Sequence, residues 1–160
     1  MEEEVDAFED AARAVSQAIV GDGHIYFHGF GEMDAVTTEA INGQEPFPKT
    51  LPLYQNGNKA TITPRDRIVI ATRYSSDATA IELVKSLQAE EAMTIGISAD
   101  VHANDESFAE LVDFHLDTKL TNALVPMDNG ERIGFPAVMT ALFAYYGLFL
   151  YTKEILEEYE

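Results

Sequence analysis

The sequence predicts a three-layer α/β/α domain around a five-stranded parallel sheet, and three observations carry that expectation. Residues 66–98 pass from a β-branched run through a hydroxyl-rich turn into a helical pattern, then into a second β-branched run. An earlier apolar run, residues 24–28 (HIYFH), likewise ends in a glycine turn, Gly29-Phe30-Gly31. Amphipathic and apolar helical patterns stand at the two ends of the chain. Strands that alternate with helices at this spacing imply parallel pairing with helices on both faces. At 160 residues, without repeat, linker or low-complexity tract, the chain reads as one domain over residues 1–160.

Val5, Phe8, Ala12, Val15 and Ile19 recur at helical spacing, so residues 3–20 read as an amphipathic helix that Gly21-Asp22-Gly23 stops. The first strand follows at 24–28, and a weak helix is expected over 33–42. Three prolines in QEPFPKTLPLYQNG make the next segment a loop, with one extended piece around 51–54. Strands are expected at 67–72 and 93–98 with a helix over 77–89 between them. A short helix over 107–112 and a last strand at 114–117 complete the alternation. Asn129-Gly130 marks a turn, and Pro136 suits the first turn of a long helix reaching about residue 158.

Charge excludes several classes of partner. With 28 acidic and 10 basic residues the formal charge is −18. Such a surface repels nucleic-acid phosphates and anionic lipid headgroups, so neither nucleic acid nor a membrane surface is expected as a partner. No cysteine is present, which removes disulfides, thiolate metal sites and a Cys nucleophile and fits a cytoplasmic location. The opening MEEEVDAFED is acidic, the reverse of a signal peptide's basic start. Residues 135–151 are strongly apolar but sit at the short limit for a membrane span, and read instead as a core or dimer helix.

Two turns could carry chemistry. Gly29-x-Gly31 is half of a dinucleotide fingerprint, but Asp34 stands where the third glycine belongs, beside Glu32. A tight turn is the simpler reading, and no cofactor is expected. The second turn, Thr72-Arg73-Tyr74-Ser75-Ser76-Asp77-Ala78-Thr79, groups hydroxyls at a strand end and a helix start, where unpaired N–H groups and the helix dipole favour an anion. Helix capping by Ser76 or Asp77 would explain one residue, not the cluster. Arg73 adds a fixed positive charge able to fork onto a phosphate. His24 and His28 share a strand face but lie about 13 Å apart if extended, and His102 and His115 fall near different strand ends, so no metal site is expected.

Together the two turns resemble the sugar isomerase (SIS) domain, which binds phosphosugars, and in particular its single-domain phosphoheptose-isomerase type. The resemblance covers most of the chain and implies a flavodoxin-like Rossmann topology. It also resembles a little-characterised bacterial SIS-like group in the segment GERIGFPAVMTALFAYYGLFLYTKEILEEY. The family loop Ser-x-Ser-Gly-x-Thr/Ser falls on residues 74–79 with Thr79 last, or one residue earlier; Ser75 and Ser76 lie within it either way. The resemblance makes Gly29, Gly31, Arg73, Ser75, Ser76 and Thr79 candidates for a phosphosugar site. It makes Glu39 and Glu131 candidate acid–base residues. Three departures point away from turnover: Met33 replaces the serine of the first turn, Asp77 or Ala78 interrupts the hydroxyl loop, and residues 135–160 hold no histidine. A non-catalytic SIS-like sensor or scaffold acting through its dimer surface is the alternative.

The last helix carries more large apolar residues, among them Phe143, Tyr145, Tyr146, Leu148, Phe149 and Leu150, than one buried stripe needs. A second packing surface follows, and a homodimer or larger assembly is expected, with the first helix as the partner across the interface.

Overall fold

The computed structural model describes residues 2–102 and 106–159. Five parallel strands form the central sheet: β1 (Ile25–Gly29), β2 (Thr50–Pro52), β5 (Arg67–Tyr74), β6 (Met93–Ala99) and β7 (Phe114–Asp117). Their order across the sheet is β2-β1-β5-β6-β7, so the chain steps outward from β1 to β2 and then returns to β1's other side. That is the flavodoxin-like order, with its switch point between β1 and β5. Both outer strands are short, as edges exposed to pairing tend to be.

Alternation along the strands sorts the core into two layers. Ile25, Phe27, Val69, Ala71, Ile95, Ile97 and Leu116 face one side, under α1 (Glu2–Val20), α2 (Ala35–Asn42) and α5 (Ala137–Glu157). Tyr26, Ile68 and Ile70 face the other, under α3 (Ala78–Gln88) and the single turn α4 (Phe108–Leu111). Gly96 is needed on that second face, because a Cβ there would come within 2.6 Å of the Phe108 ring.

The elements lie close to their expected positions, with instructive differences. The weak helix expected over 33–42 divides into a 3-10 turn at Gly31–Asp34 and α2 proper. Met33 is buried in the core at that turn, and Asp34 turns its carboxylate back to the Gly29 N–H instead of opening the helix. Two small hairpins lie outside the sheet: β3 (Tyr54–Gln55) with β4 (Asn58–Lys59), and β8 (Val125–Pro126) with β9 (Arg132–Ile133). The first closes through Asn56-Gly57, both at positive φ (53° and 79°), as a two-residue turn in a right-twisted hairpin requires.

The α5 apolar surplus resolves into two faces. Tyr145, Leu148 and Phe149 enter the core, whereas Met139, Phe143, Tyr146 and Leu150 are exposed. The face of α1 expected to cross an interface is used within its own chain: Phe8 stacks on Tyr151 at 6.1 Å, in the space that Gly147 leaves open. No described helix is long and apolar enough to cross a membrane.

Candidate functional site

Ligands of doubly wound sheets bind beyond the carboxyl ends of the strands at the switch point, here the ends of β1 and β5. Gly29 closes β1 against the next turn so tightly that a Cβ would lie 2.3 Å from the Met33 carbonyl oxygen. Its N–H donates to Asp34 Oδ1 at 3.1 Å. Gly31 adopts φ +60°, the left-handed region, with open space around it. On β5 the pairing register with β6 shifts between Ala71 and Tyr74, an irregularity that re-aims the strand end.

The hydroxyl loop is divided by burial. Ser75 is fully buried, and its Oγ accepts from the Val101 N–H at 2.9 Å and lies 3.2 Å from both Asp100 Oδ1 and the Val101 carbonyl. Ser75 therefore fastens the loop to the segment after β6. Ser76 and Thr79 are exposed. Asp77 occupies the position before α3 but makes no cap to the helix. Its carboxylate accepts from the Thr72 hydroxyl and, at 3.4 Å, from the Tyr74 N–H. The capping role available to Asp77 is thus not taken: its side chain makes no hydrogen bond to the first turn of α3.

Arg73 spans the switch point: its Nε donates to Glu32 Oε2 at 2.7 Å, which joins the two turns. The bond holds the Glu32 carboxyl below the usual carboxylate range. Both partners are open to solvent, so the pair is weak and exchangeable. Glu39, on α2, accepts from the Tyr146 phenol of α5. Glu131 sits in the exposed β8–β9 turn, where its N–H donates to Asn129 Oδ1 at 3.0 Å. Arg132 does not pair with it, but donates to the Ala123 and Leu124 carbonyls. Phe135, which follows this hairpin, packs on Tyr74 at 5.8 Å and brings the segment towards the end of β5.

The fold thus brings Gly29, Gly31, Arg73 and the 75–79 loop to the carboxyl ends of β1 and β5, where the Arg73–Glu32 pair joins the two turns. Glu39 is engaged on the α2–α5 side and Glu131 lies on an outlying hairpin. Beyond Asp34 and Asp77, which belong to the two turns, two further aspartates stand at strand ends without a turn motif to mark them: Asp100, just past β6, and Asp117, the last residue of β7. Asp117 Oδ1 accepts from the Asp100 N–H at 3.1 Å and the Lys119 N–H at 2.8 Å. The recurrence of an aspartate at or soon after the end of four of the five strands (GEMD, SSD, SAD, HLD) is the signal that could have found them.

Two of the histidines, His28 and His115, are held by the protein itself. His28 lies edge-on to Phe30 (4.7 Å) and Tyr54 (4.9 Å), and His115 Nε2 is 2.7 Å from Ser98 Oγ. Among the described residues no three His, Cys, Asp or Glu side chains converge to hold an ion. Burial pushes the His115 imidazole below its usual value of 6.5, and nearby Asp117 and Asp100 only partly oppose this. The folded state therefore favours neutral His115. Its stabilising contribution is complete above pH 6.5 and is lost as pH falls below that, when the unfolded chain takes up the proton first. Denaturant titrations at successive pH values should show a shallower acid loss of stability in His115→Asn than in the parent. Parallel curves would contradict this.

The strand order and the helices on both faces of the sheet define a three-layer α/β/α protein of flavodoxin-like topology. Solved structures share this fold at low identity. A phosphoheptose isomerase from Francisella tularensis superposes with a TM-score of 0.58 at 14% identity, over 91% of this chain and 86% of that one. The sugar isomerase domain of an RpiR transcription factor from Sphaerobacter thermophilus gives 0.56 at 13% identity, over 96% and 84%. The chain belongs to the family described as "Domain of unknown function (DUF2529)", whose model matches residues 1–156. The uncharacterized protein YwjG of Bacillus subtilis (strain 168) is 35% identical over 158 residues, 99% of this chain and 90% of that protein.

Proposed function

We propose that the protein binds a phosphosugar at the carboxyl ends of β1 and β5 and does not isomerise it. The observation that carries this reading is the uncapped start of α3: Asp77 turns back to Thr72 and Tyr74, among the described residues no side chain bonds the first helical N–H groups, and the Ser76 and Thr79 side chains are exposed. An open helix start of this kind is a natural phosphate seat. The arrangement favours the loop register that ends on Thr79, because Ser76 and Thr79 are exposed while Ser75 is committed to the Asp100 segment. Arg73 is placed to exchange Glu32 for a phosphate oxygen, and Gly29 and Gly31 shape the facing wall. The fold shared with a phosphoheptose isomerase and with a sugar isomerase domain supports the same ligand class.

Isomerisation needs a base to move a proton between adjacent carbons and an acid to assist ring opening. Glu39 is bonded to Tyr146, Glu131 is on an exposed hairpin, and α5 offers no histidine. A coupled assay with sedoheptulose 7-phosphate should therefore detect no turnover. If turnover appears and Glu39→Gln lowers it about 100-fold or more, Glu39 is the base and the non-catalytic reading fails.

Binding is tested separately with five- to seven-carbon sugar phosphates in a thermal-shift screen, since a ligand of the native state raises the midpoint. A binder should lose about 1–3 kcal/mol of affinity in the Ser76→Ala/Thr79→Val double variant, the range for hydrogen bonds to a charged group. Affinity unchanged in that variant would remove the site from this loop.

One observation favours the scaffold reading alongside binding. Met139, Phe143, Tyr146 and Leu150, at spacings of four, three and four, form an apolar stripe on the outer face of α5, exposed by 71%, 80%, 40% and 61%. A homodimer seated on this stripe is the assembly it fits.

A further inference from the structure

A small cleft adjoins the start of α3. It holds about 270 Å³ and is lined by Phe30, Tyr54, Thr79, Glu82, Leu83 and Ser86. That volume falls just under the range of whole small-molecule sites, roughly 300–1,000 Å³, so the cleft suits one ring of a ligand rather than a whole ligand. The four α3 residues follow one another at intervals of three, one and three, which puts them on one face of the helix. Leu83 is buried with the core, whereas Thr79, Glu82 and Ser86 are exposed.

The two aromatic rings reach the cleft from other parts of the chain. Phe30 belongs to the turn after β1 and is packed in part against the core. Tyr54 begins the small β3–β4 hairpin, next to Leu53, which is fully buried and anchors it. His28, near the end of β1, meets both rings edge-on, at 4.7 Å and 4.9 Å. Tyr54 is nevertheless 38% exposed, a large ring kept at the surface beside the switch point.

Thr79 belongs to two places at once: the hydroxyl loop at the start of α3 and the wall of this cleft. From Thr79 to Ser86 the helix advances about 10 Å, which leaves room for a ring beyond a phosphate held at the helix start. Glu82, one turn in from Thr79, forms no ion pair among the described residues. Its carboxylate is an acceptor for hydroxyl groups and disfavours a second anionic group. The face of an aromatic ring is negative and attracts the weakly positive C–H groups of a sugar ring. An open-chain sugar presents no such face and loses more rotational freedom on binding.

We infer that the cleft between Phe30, Tyr54 and α3 is the sugar subsite of the phosphosugar site, and that it selects the closed-ring form. The ring lies on the aromatic side chains, and its hydroxyls donate to Glu82. This inference rests on the phosphate seat proposed above and adds to it the form of the sugar. A subsite for the closed ring also agrees with the absence of isomerisation, which requires the ring to open.

Two pairs of ligands test this by amide-resolved NMR titration of the full chain, with inorganic phosphate as reference. In each pair one member is locked as a ring and the other cannot close: methyl glucopyranoside 6-phosphate with sorbitol 6-phosphate, and methyl ribofuranoside 5-phosphate with ribitol 5-phosphate. Inorganic phosphate is expected to shift Ser76, Ala78 and Thr79 alone. A ring-locked ligand should also shift Phe30, Tyr54 and Glu82, and should bind at least about tenfold tighter than its open partner in one pair or both. Tyr54→Ala and Glu82→Ala, both at exposed positions, should each weaken the ring-locked ligand at least about fivefold and leave inorganic phosphate no weaker. Tyr54→Phe, which keeps the ring, should bind as the parent does. The inference is overturned if the open partners bind as tightly in both pairs, or if both alanine variants bind the ring-locked ligand as the parent does. Shifts at residues 76–79 without any at the cleft remove the sugar subsite alone, whereas stillness at 76–79 with every ligand removes the phosphate seat as well.

Discussion

Gly29→Ala is expected to destabilise the protein by about 3 kcal/mol or more and to abolish ligand binding at the switch point together with it. The added Cβ would lie 2.3 Å from the Met33 carbonyl oxygen and 2.5 Å from the Asp34 Cα, so it meets backbone and no side-chain rotation relieves it. The turn would have to move as a unit. That movement breaks the Gly29–Asp34 hydrogen bond and withdraws Met33, which is 1% exposed, from the core. Overpacking combined with a lost buried anchor belongs to the upper range of single substitutions. Gly31→Ala is the informative comparison: nothing lies within 4 Å of its Cβ, and only its φ of +60° is penalised. It should cost about 1 kcal/mol. Denaturant midpoints in that order support the account, and equal midpoints contradict it.

Phe143→Glu is expected to convert the proposed dimer to monomer with little loss of monomer stability, because the ring is 80% exposed. Phe149→Glu, only two turns away, should instead unfold the chain. Phe149 is 3% exposed and its ring meets Phe47 at 5.9 Å and Tyr145 at 6.2 Å, so a carboxylate there would be desolvated among aromatic rings, a cost that Lys153, whose Nζ lies 5.7 Å from the ring centre, offsets only in part. Sedimentation equilibrium of both variants separates the two faces of α5. Each chain carries −18, so association should also tighten as salt is raised. A parent that sediments as a monomer at micromolar concentration and every salt would remove the interface.

The contrast between these phenylalanines shows where sequence reading reaches its limit. Composition of α5 announced that one stripe could not hold all its large residues, but nearly every position qualified, so periodicity could not say which residues face out. The sheet was more legible. Strands read at 67–72, 93–98 and 114–117 appear as Arg67–Tyr74, Met93–Ala99 and Phe114–Asp117, because β-branched runs bounded by turn residues have few alternatives. Hairpins of two residues per strand left too short a pattern to register, although Asn129-Gly130 marked the turn between β8 and β9.

The candidate site was legible as a place and less so as a set of side chains. Helix starts and glycine turns are local, so residues 29–31 and 72–79 could be located from the chain alone. Which hydroxyl of the loop faces solvent depends on contacts far along the sequence: Ser75 is held by Asp100 and Val101, 25 and 26 residues away. Likewise, Arg73 meets Glu32 across 41 residues and Tyr146 reaches Glu39 across 107. Pairings at such separations leave no trace in spacing.

The most direct measurement of the central claim is an amide-resolved NMR titration with a sugar phosphate selected by thermal shift. Saturable shifts are expected at the N–H groups of Ser76, Ala78 and Thr79. Those shifts should disappear in Ser76→Ala/Thr79→Val, while the amides around Asp117 and Met139 remain still. Binding that leaves residues 76–79 unmoved, or the absence of binding by every five- to seven-carbon sugar phosphate, would contradict it.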